Sequence, residues 1–237
     1  MQERRPVLVT GAAKRIGRVI ATELYRRGFE VAIHYNTSQG EAVEVSRACG
    51  GAPVFQADLS KLDEIRRLFL EARQTLGPLF GLVNNAARFT KAEPLAITEE
   101  DWDATHNINL KAAFFCSQEA ARDMQARGSG RIVNISSLGG LRPWPDHVHY
   151  CASKAGLIML TQALAKALAP AITVNSVAPG AILPSEAESN LDSLIRATPM
   201  KRMGTPEDVA EAVHYFLTCS DFVTGQILAI DGGLGQR

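Results

Sequence analysis

Tyr150 and Lys154 are the residues whose types and spacing most directly suggest chemistry. They stand four positions apart at the start of a long apolar helix pattern, so a helix would place both side chains on one face. A free tyrosine phenol has a pKa of about 10 and is a poor acid at neutral pH. A neighbouring ammonium favours the phenolate and makes the phenol a usable proton donor and acceptor. The same spacing also fits an ordinary helix surface pair, so the residues around it must decide whether the pair is catalytic.

The composition is ordinary for a globular protein. The 237 residues are 46% hydrophobic and 21% charged, which predicts one domain over residues 1–237 with a sizeable core. Basic and acidic residues number 25 each, so we expect neither a nucleic-acid-binding protein nor a membrane-surface protein. Residues 1–5 are polar, and we expect neither a signal peptide nor a membrane span. The four cysteines form no Cys-x-x-Cys pair, which favours a reducing cytoplasm.

Short apolar runs rich in β-branched residues alternate with helix patterns along the chain. This alternation predicts right-handed crossovers and a parallel sheet covered by helices on both faces. We therefore expect a doubly wound α/β fold with about seven strands. The expected strands are 7–10, 30–35, 54–56, 79–84, 131–135, 173–177 and 226–230; the expected helices are 15–27, 41–49, 61–76, 149–168 and 206–218, with helical patterns over 98–127.

The turn after the first strand resembles a phosphate-binding loop. It opens the first helix, whose backbone N–H groups and dipole suit a pyrophosphate, and this context favours a nucleotide over an ordinary glycine-containing loop. Gly11 permits a tight turn, and Gly17 lets the helix approach the sheet. Arg15 stands where such loops often have glycine and brings a cation to the phosphates or the substrate. The cofactor contacts expected here are Gly11, Lys14, Arg15, Ile16 and Gly17.

The end of the second strand indicates which dinucleotide binds. A carboxylate there would bind the ribose 2′-OH and favour NAD. The first carboxylate after this strand is Glu41, and neutral donors come before it. With Lys14 nearby, these donors would accept a 2′-phosphate, so we expect NADPH rather than NADH; the missing acid alone does not exclude NAD. The expected contacts are Tyr35, Asn36, Thr37 and Ser38.

The turns after the next three strands carry polar or small residues at the same edge of the sheet. Asp58 could accept a hydrogen bond from an adenine amino group, and small residues after the fourth strand would let a nucleotide lie close to the backbone. The same Asn-Asn-Ala-Ala run is also ordinary turn chemistry. Ser137 ends the fifth strand, where its hydroxyl could hold a substrate carbonyl while Tyr150 protonates it. The further cofactor contacts expected here are Asp58, Leu59, Asn85 and Ala86.

Together these motifs resemble the short-chain dehydrogenase/reductase family, in order and in spacing, over essentially the whole chain. They are Thr10-Gly11 with Gly17, Asn84-Asn85-Ala86, Ser137, Tyr150 with Lys154, and Pro179-Gly180. The resemblance implies a Rossmann-type domain and hydride transfer between NAD(P)H and a carbonyl or C=N group. It also implies cofactor contacts from Pro179, Gly180 and Ile182, and a homotetramer.

The resemblance also implies roles for the reacting residues. Tyr150 is the general acid, and Lys154 lowers the pKa of its phenol and binds the nicotinamide ribose. Ser137 orients the substrate. Asn109 matches the residue that supports a water relay. A protein of another class, a catalytically silent NADP-binding regulator, would need none of Ser137, Tyr150 and Lys154.

Within that family the chain is most similar to bacterial pteridine reductases. Arg15 replaces a common glycine in those proteins too, and Phe89 matches an aromatic residue that stacks on the pterin ring. Residues 177–184 and 198–208 also read like theirs. Ser137 departs from the aspartate that these reductases commonly carry, and serine is the ordinary choice for ketone reduction, so a 3-oxoacyl or general ketone reductase is the alternative. The expected substrate contacts are Arg15, Phe89, Ser137 and Tyr150.

Several further segments carry expectations of their own. Asp146, His147, His149 and Cys151 are close in sequence, but their spacing matches no usual zinc site, so we expect no metal. Residues 141–145 are expected to line the substrate pocket. Residues 184–204 are either a lid over the cofactor's reactive end or a plain surface excursion. The apolar helix faces over 110–124 and 149–168 are either core or, as the resemblance implies, subunit contacts.

Overall fold

A seven-stranded parallel sheet forms the centre of the protein and confirms the predicted fold class. The computed structural model describes residues 5–183 and 191–236. The strand order is β3-β2-β1-β4-β5-β6-β7. The strands are β1 Pro6–Val9, β2 Glu30–Tyr35, β3 Val54–Gln56, β4 Gly81–Asn84, β5 Gly130–Ile135, β6 Ile172–Pro179 and β7 Ile227–Ile230.

Helices cover both faces of this sheet and follow the predicted pattern, apart from the helix Leu191–Ala197, which lies in the segment 184–204 where no helix was predicted. The α-helices are α1 Arg15–Arg26, α2 Gln39–Ala48, α3 Leu62–Leu76, α4 Glu99–His106, α5 Ala112–Arg127, α6 Val148–Ala167, α7 Leu191–Ala197 and α8 Pro206–Thr218. Short 3-10 turns lie at Pro94–Ala96, Leu138–Gly140, Pro145–His147 and Leu234–Gln236. In the described parts of the chain, no helix is long and apolar enough to cross a membrane.

The strand sequences bury side chains on both faces because alternate residues point in opposite directions. Val7 and Val9 of β1 pack with α1, α2 and α8. Leu8, between them, packs on the other face with residues of α3, α5 and α6. A continuous apolar strand is therefore the expected pattern for a sheet with two covered faces.

The order of the strands places a crevice at the end of β1. This strand lies between β2 and β4. The chain places β2 and β3 on one side of β1 and then returns to place β4 on its other side. In open parallel sheets, ligands bind beyond the carboxyl ends of the strands at such a switch point. The turns after β1, β2 and β4 therefore meet at one place.

The predicted helical region 98–127 is interrupted. Thr98 caps α4 through a capping box with Asp101, but Asn107–Lys111 forms a π-helical turn before α5 begins. Such single-turn π segments occur frequently at functional sites. This turn brings Asn109 into the interior, where it is 1% exposed.

The segment 184–204 is only partly described. Residues 184–190 lie outside the described residues, and α7 begins directly after them. Beyond α7, the N–H of Gly204 donates to Ala181 O at 2.9 Å, and the N–H of Leu183 donates to Gly204 O at 2.8 Å. These bonds hold the far end of the segment beside β6, and its function as a lid stays a prediction.

Candidate active site

The turn after β1 takes a shape that only small residues permit. Gly11 has φ +62°, and a Cβ there would lie 2.9 Å from the Cα of Ala86. A Cβ on Gly17 would overlap the carbonyl oxygen of Gly11. Arg15, the first residue of α1, has φ +51°, a conformation that glycine adopts more easily. The structure thus gives the physical reason why glycine is common at this position of such loops.

Hydrogen bonds join this turn to the turn after β4. The hydroxyl of Thr10 accepts the N–H groups of Asn85 at 2.9 Å and Ala86 at 3.0 Å. The side-chain amide of Asn85 donates to Thr10 O at 2.9 Å and to Gly11 O at 3.1 Å. The motifs predicted separately at these two strand ends therefore form one rigid unit.

His34, in β2, holds the same turn through a hydrogen bond, and sequence reasoning missed this residue. The N–H of Gly11 donates to His34 Nδ1 at 3.0 Å, and the opposite nitrogen, Nε2, lies 3.0 Å from Ala57 O. This pattern assigns the proton to Nε2. Burial lowers the pKa of His34 to about 4, so the ring is neutral at pH 7. A histidine directly after the buried apolar residues of β2 was the available signal.

An open cleft of about 680 Å³ lies beyond β2 and β3, where the adenosine end of a dinucleotide was predicted. Asn36 and Asp58 line it, together with Arg88 and Ile108. Asp58 Oδ1 accepts bonds from the hydroxyl of Ser60 at 2.7 Å and its N–H at 3.0 Å. The hydroxyl bond holds the pKa of Asp58 below its usual value, so the carboxylate is an acceptor here.

The other residues predicted around the cofactor differ in how they reach this cleft. Leu59 is 5% exposed and packs in the core, so only its backbone is available to a ligand. Ile16 and Tyr35 pack partly against the core cluster that includes α1. Asn36 and Thr37 are exposed, and Ser38 precedes α2.

Lys14, which was expected near the end of β2, has a charged partner in the structure. Its ammonium forms an ion pair with Glu41 Oε1 at 2.7 Å. Glu41 lies in the first turn of α2, so the ion pair joins the turn after β1 to the start of α2. The expected 2′-phosphate contact therefore has a carboxylate as its present partner.

Tyr150 and Ser137 meet at the carboxyl end of β5. Tyr150 lies in the first turn of α6 and is 8% exposed. Burial raises the pKa of its phenol to about 12, although a hydrogen bond with the Ser137 side chain lowers it in part. The hydroxyl of Ser137 also accepts the N–H of Gly139 at 3.0 Å, which fixes its direction.

Lys154 lies one helical turn after Tyr150 and is 2% exposed. Its ammonium donates to Ile135 O at 2.7 Å and lies 5.8 Å from the centroid of the Tyr150 ring. Burial lowers the pKa of Lys154 to about 7. Burial therefore has the largest influence on the pKa values of both groups, the ammonium points at a carbonyl, and the lowering of the phenol pKa by Lys154 stays a prediction.

Asn109 uses its whole side-chain amide to hold two neighbouring segments. Its Nδ2 donates to Arg88 O and to Ser153 Oγ, both at 3.0 Å, and its Oδ1 accepts the N–H of Arg88 at 2.8 Å. The amide thus joins α6 to the segment that leads into Phe89. The role of Asn109 in a water relay stays a prediction.

An aromatic cluster stands over the phenol. Phe89 contacts Tyr150 edge to face, with ring centroids 4.8 Å apart, and stacks on His147 at 4.6 Å with an interplanar angle of 8°. Trp144 lies parallel to Tyr150 with centroids 6.1 Å apart. Phe89 and residues 141–145 were expected near the substrate, whereas His147 was considered only as a metal ligand.

An ion pair and a backbone hydrogen bond, together called the clasp, join the two loops that carry these rings. Lys91 Nζ pairs with Asp146 Oδ2 at 2.8 Å, and the N–H of Ala92 donates to Asp146 O at 3.0 Å. The neighbouring His149 bonds Thr90 through Nε2 at 2.8 Å. In residues 5–183 and 191–236, no three metal-ligating side chains cluster in a way that could hold an ion.

The predicted reactive end of the cofactor site lies beyond β6. Pro179 is its last residue, and the N–H of Gly180 donates to Ile230 O at 2.9 Å. A Cβ on Gly180 would lie 2.7 Å from the Cβ of Asp231, so the close passage requires glycine. Ile182 pairs with Gly204 in an isolated bridge. The chain therefore brings all three predicted residues to the edge that holds the glycine turn.

Comparison with known proteins finds the same arrangement over the whole chain. A family profile described as Enoyl-(Acyl carrier protein) reductase matches residues 11–235. The chain is 36% identical to a short-chain type dehydrogenase/reductase of Picea abies, with 97% of this chain and 92% of that protein aligned. It is 35% identical to a 3-oxoacyl-[acyl-carrier-protein] reductase of Staphylococcus aureus, with 99% of both chains aligned.

A solved structure also matches over nearly the whole chain. Acetoin dehydrogenase from Enterobacter cloacae superposes with a TM-score of 0.90 at 32% identity, covering 99% of this chain and 96% of that one. The aligned length takes in both the glycine turn and the strand-end cluster around Tyr150. On these grounds the chain belongs to the short-chain dehydrogenase/reductase family, whose members are nicotinamide-dependent oxidoreductases.

Proposed function

We propose that this protein is an NADPH-dependent reductase of carbonyl substrates, with Tyr150 as the proton donor. The observation that carries the proposal is the buried phenol, hydrogen-bonded to Ser137, with the Lys154 ammonium one helical turn away. Burial raises the pKa of the phenol to about 12, so Tyr150 is protonated at neutral pH, and the hydrogen bond with Ser137 and the proposed role of Lys154 favour the phenolate that donation leaves behind. The hydroxyl of Ser137 is directed to the same point and would hold the substrate oxygen.

The residues of the crevice fit a nicotinamide dinucleotide. When bound, NADPH supplies the hydride for the carbonyl carbon. Thr10, Asn85 and His34 hold the glycine turn in the shape that exposes the start of α1 to a pyrophosphate. Lys154 would bind the nicotinamide ribose, and the proton that Tyr150 gives to the substrate oxygen is replaced from solvent.

A ketone such as a 3-oxoacyl thioester is the substrate class that we favour. Ser137 is a hydroxyl donor of the kind that suits a ketone oxygen, and it carries no acidic proton that would protonate a ring nitrogen. Two similar proteins are named 3-oxoacyl-[acyl-carrier-protein] reductase, from Synechocystis and from Staphylococcus aureus. We extend that reaction to this chain as a proposal.

One observation favours a second substrate class, the C=N bond of a reduced pterin. Phe89 is 57% exposed beside Tyr150, and a planar ring could stack on its free surface. The parallel pair of Phe89 and His147 shows that a flat ring already fits against this side chain. Tyr150 would be the proton donor in either reaction, so the two substrate classes are alternatives for one site.

The experiment is NADPH oxidation measured with an acetoacetyl thioester, simple ketones, dihydrobiopterin and dihydrofolate. Turnover of the thioester with kcat/KM at least about tenfold above that of the pterins supports the ketone assignment, and the reverse ranking supports the pterin. If NADPH binds but no substrate is reduced, the protein is instead a silent NADP-binding regulator.

We also propose a cytoplasmic homotetramer. All four cysteines are free thiols, as in reducing compartments. The outer surfaces of α5 and α6 form a shallow groove that Phe114, Leu164 and Leu168 line, which would suit a facing subunit. Light scattering of the purified protein tests the assembly, and a monomer would contradict it.

A further inference from the structure

The ion pair of Lys14 and Glu41 lies where the ribose 2′-phosphate of NADPH is proposed to bind. Lys14 precedes α1, and Glu41 belongs to the first turn of α2. Their side chains meet at 2.7 Å, although both are about half exposed, at 54% and 40%. Hydrogen bonding to Lys14 holds the pKa of Glu41 below its usual value, so the carboxylate is charged at neutral pH.

The position of this pair follows from the sheet. β1 and β2 are parallel neighbours, so the turns after them lie side by side. The dinucleotide crosses these turns, and its adenosine ribose is expected beside Asn36, Thr37 and Ser38. A ribose 2′-phosphate at that place needs a cation, and Lys14 reaches from the turn after β1 to the first turn of α2.

Other charges near this position do not remove the need for Lys14. The adjoining cleft is lined by the carboxylates of Asp58, Glu99, Glu100 and Asp103, with Arg88 as its basic residue. Asp58 has Lys61 at 3.4 Å, and Arg88 has Asp101 at 4.0 Å. A phosphate dianion entering here therefore meets a mainly negative surface.

We propose that Glu41 is a selectivity residue, which competes with the 2′-phosphate for Lys14 and so narrows the preference for NADPH over NADH. A 2′-phosphate must take over the ammonium that Glu41 now holds, whereas a ribose 2′-hydroxyl leaves the ion pair in place. Glu41 therefore weakens the binding of NADPH and leaves the binding of NADH unaffected. This inference rests on the NADPH site of the proposed function.

A neighbouring pair shows what a purely structural role would look like. Arg18 and Glu44 connect α1 and α2 one turn farther along, at 3.4 Å and with exposures of 46% and 57%. Exposed pairs of this kind contribute little to stability. Glu44→Gln is therefore the matched control for Glu41→Gln, since both remove one carboxylate from the α1–α2 surface.

The test measures binding without turnover. Adenosine 2′,5′-bisphosphate and adenosine 5′-monophosphate are titrated into the full chain by calorimetry at low salt. Glu41→Gln should raise the affinity ratio of bisphosphate to monophosphate about fivefold, as expected for releasing one exposed ion pair. Glu44→Gln should change the ratio less than about twofold, and the Glu41→Gln effect should shrink in about 0.5 M salt because exposed charges are screened.

Three results would overturn the inference. The first is an unchanged ratio in Glu41→Gln, and the second is an equal gain in Glu44→Gln. The third comes from the Lys14→Gln background, in which the Glu41→Gln effect should fall below about twofold; a persisting effect would show plain repulsion instead of competition for Lys14.

Failure of the NADPH assignment would look different. A wild-type chain that binds the monophosphate more tightly than the bisphosphate contradicts the proposed cofactor preference. The inference would still hold if Glu41→Gln raised the ratio by the expected factor. Ligand affinities of wild type and variants therefore separate the two claims.

Discussion

The residues around Tyr150, here called the reaction centre, are buried, whereas the ion pair of Lys14 and Glu41, here called the cofactor rim, is exposed to solvent. Tyr150, Lys154 and Ser137 are each less than a tenth exposed, and burial sets the pKa values of the first two. Lys14 and Glu41 carry full charges at the surface, where water and salt screen them. Single changes in the centre should therefore alter rates by orders of magnitude, whereas single changes at the rim should adjust selectivity by small factors.

Removing the Tyr150 hydroxyl should have the largest effect. Tyr150→Phe should lower kcat for NADPH-dependent reduction by about 1000-fold or more, because general acid catalysis by a placed group is worth about 100- to 10,000-fold. NADPH affinity, followed by fluorescence, should stay within about threefold. Turnover close to that of wild type would refute the role of Tyr150 and with it the contrast between centre and rim.

Loss of the Ser137 hydroxyl should come second. Ser137→Ala should lower kcat about 100-fold, since one donor to a developing oxyanion is worth roughly that factor. The matched control is Ser136→Ala, whose hydroxyl instead donates to Val177 O at 3.1 Å. The control should keep kcat within about threefold, and an equal loss in both variants would mean that Ser137 acts through folding alone.

His34 should make the protein sensitive to acid. Its pKa of about 4 in the folded state lies below the usual 6.5, so the unfolded chain takes up the proton first as the pH falls. Wild type should lose about 3 kcal/mol of unfolding free energy from this group between about pH 6.5 and pH 4. Urea denaturation of His34→Asn should show a smaller loss over the same range, because an asparagine side chain does not titrate.

A loss in His34→Asn as large as in wild type would assign the acid sensitivity to other groups. Asparagine can still accept the N–H of Gly11 through its side-chain oxygen, so this variant keeps the shape of the glycine turn. Cofactor affinity at neutral pH should therefore change little. A large loss of affinity at that pH would show that the ring of His34 has a further role.

The smallest effect should come from Phe89, at the exposed edge of the centre. Phe89→Leu should lower kcat/KM for a planar substrate about fivefold relative to a small ketone, as expected for one lost aromatic contact. Leu95→Ala is the control, because Leu95 is 98% exposed farther along the same segment. If both substrates lose equally in Phe89→Leu, the ring supports the clasp and does not select the substrate.

The fold could be predicted from the sequence because its signals are local. Runs such as Val7–Val9 and the helix pattern after Tyr150 bury their apolar faces as their periodicity indicates, and a strict strand–helix alternation leaves few topologies. The family motifs stand at strand ends, so their meeting followed from the parallel sheet.

The remaining features depend on side-chain contacts between distant segments. No local pattern shows that Glu41 reaches Lys14, that His34 accepts the Gly11 N–H, or that Lys154 turns to Ile135 O. The π turn of Asn107–Lys111 is likewise set by packing, since its sequence continues the helical pattern on both sides. For the same reason, the balance between burial and charge at Tyr150 could not be predicted from spacing alone.

Isotope labelling can follow the proposed reaction itself, hydride transfer to a carbonyl carbon with a proton from Tyr150. The protein is incubated with an acetoacetyl thioester and NADPH that carries deuterium at both C4 positions of the nicotinamide, and the product is analysed by NMR. We expect one deuterium on the carbinol carbon with wild type and almost no labelled product with Tyr150→Phe. An unlabelled alcohol from wild type, or equal labelling with Tyr150→Phe, would contradict this mechanism.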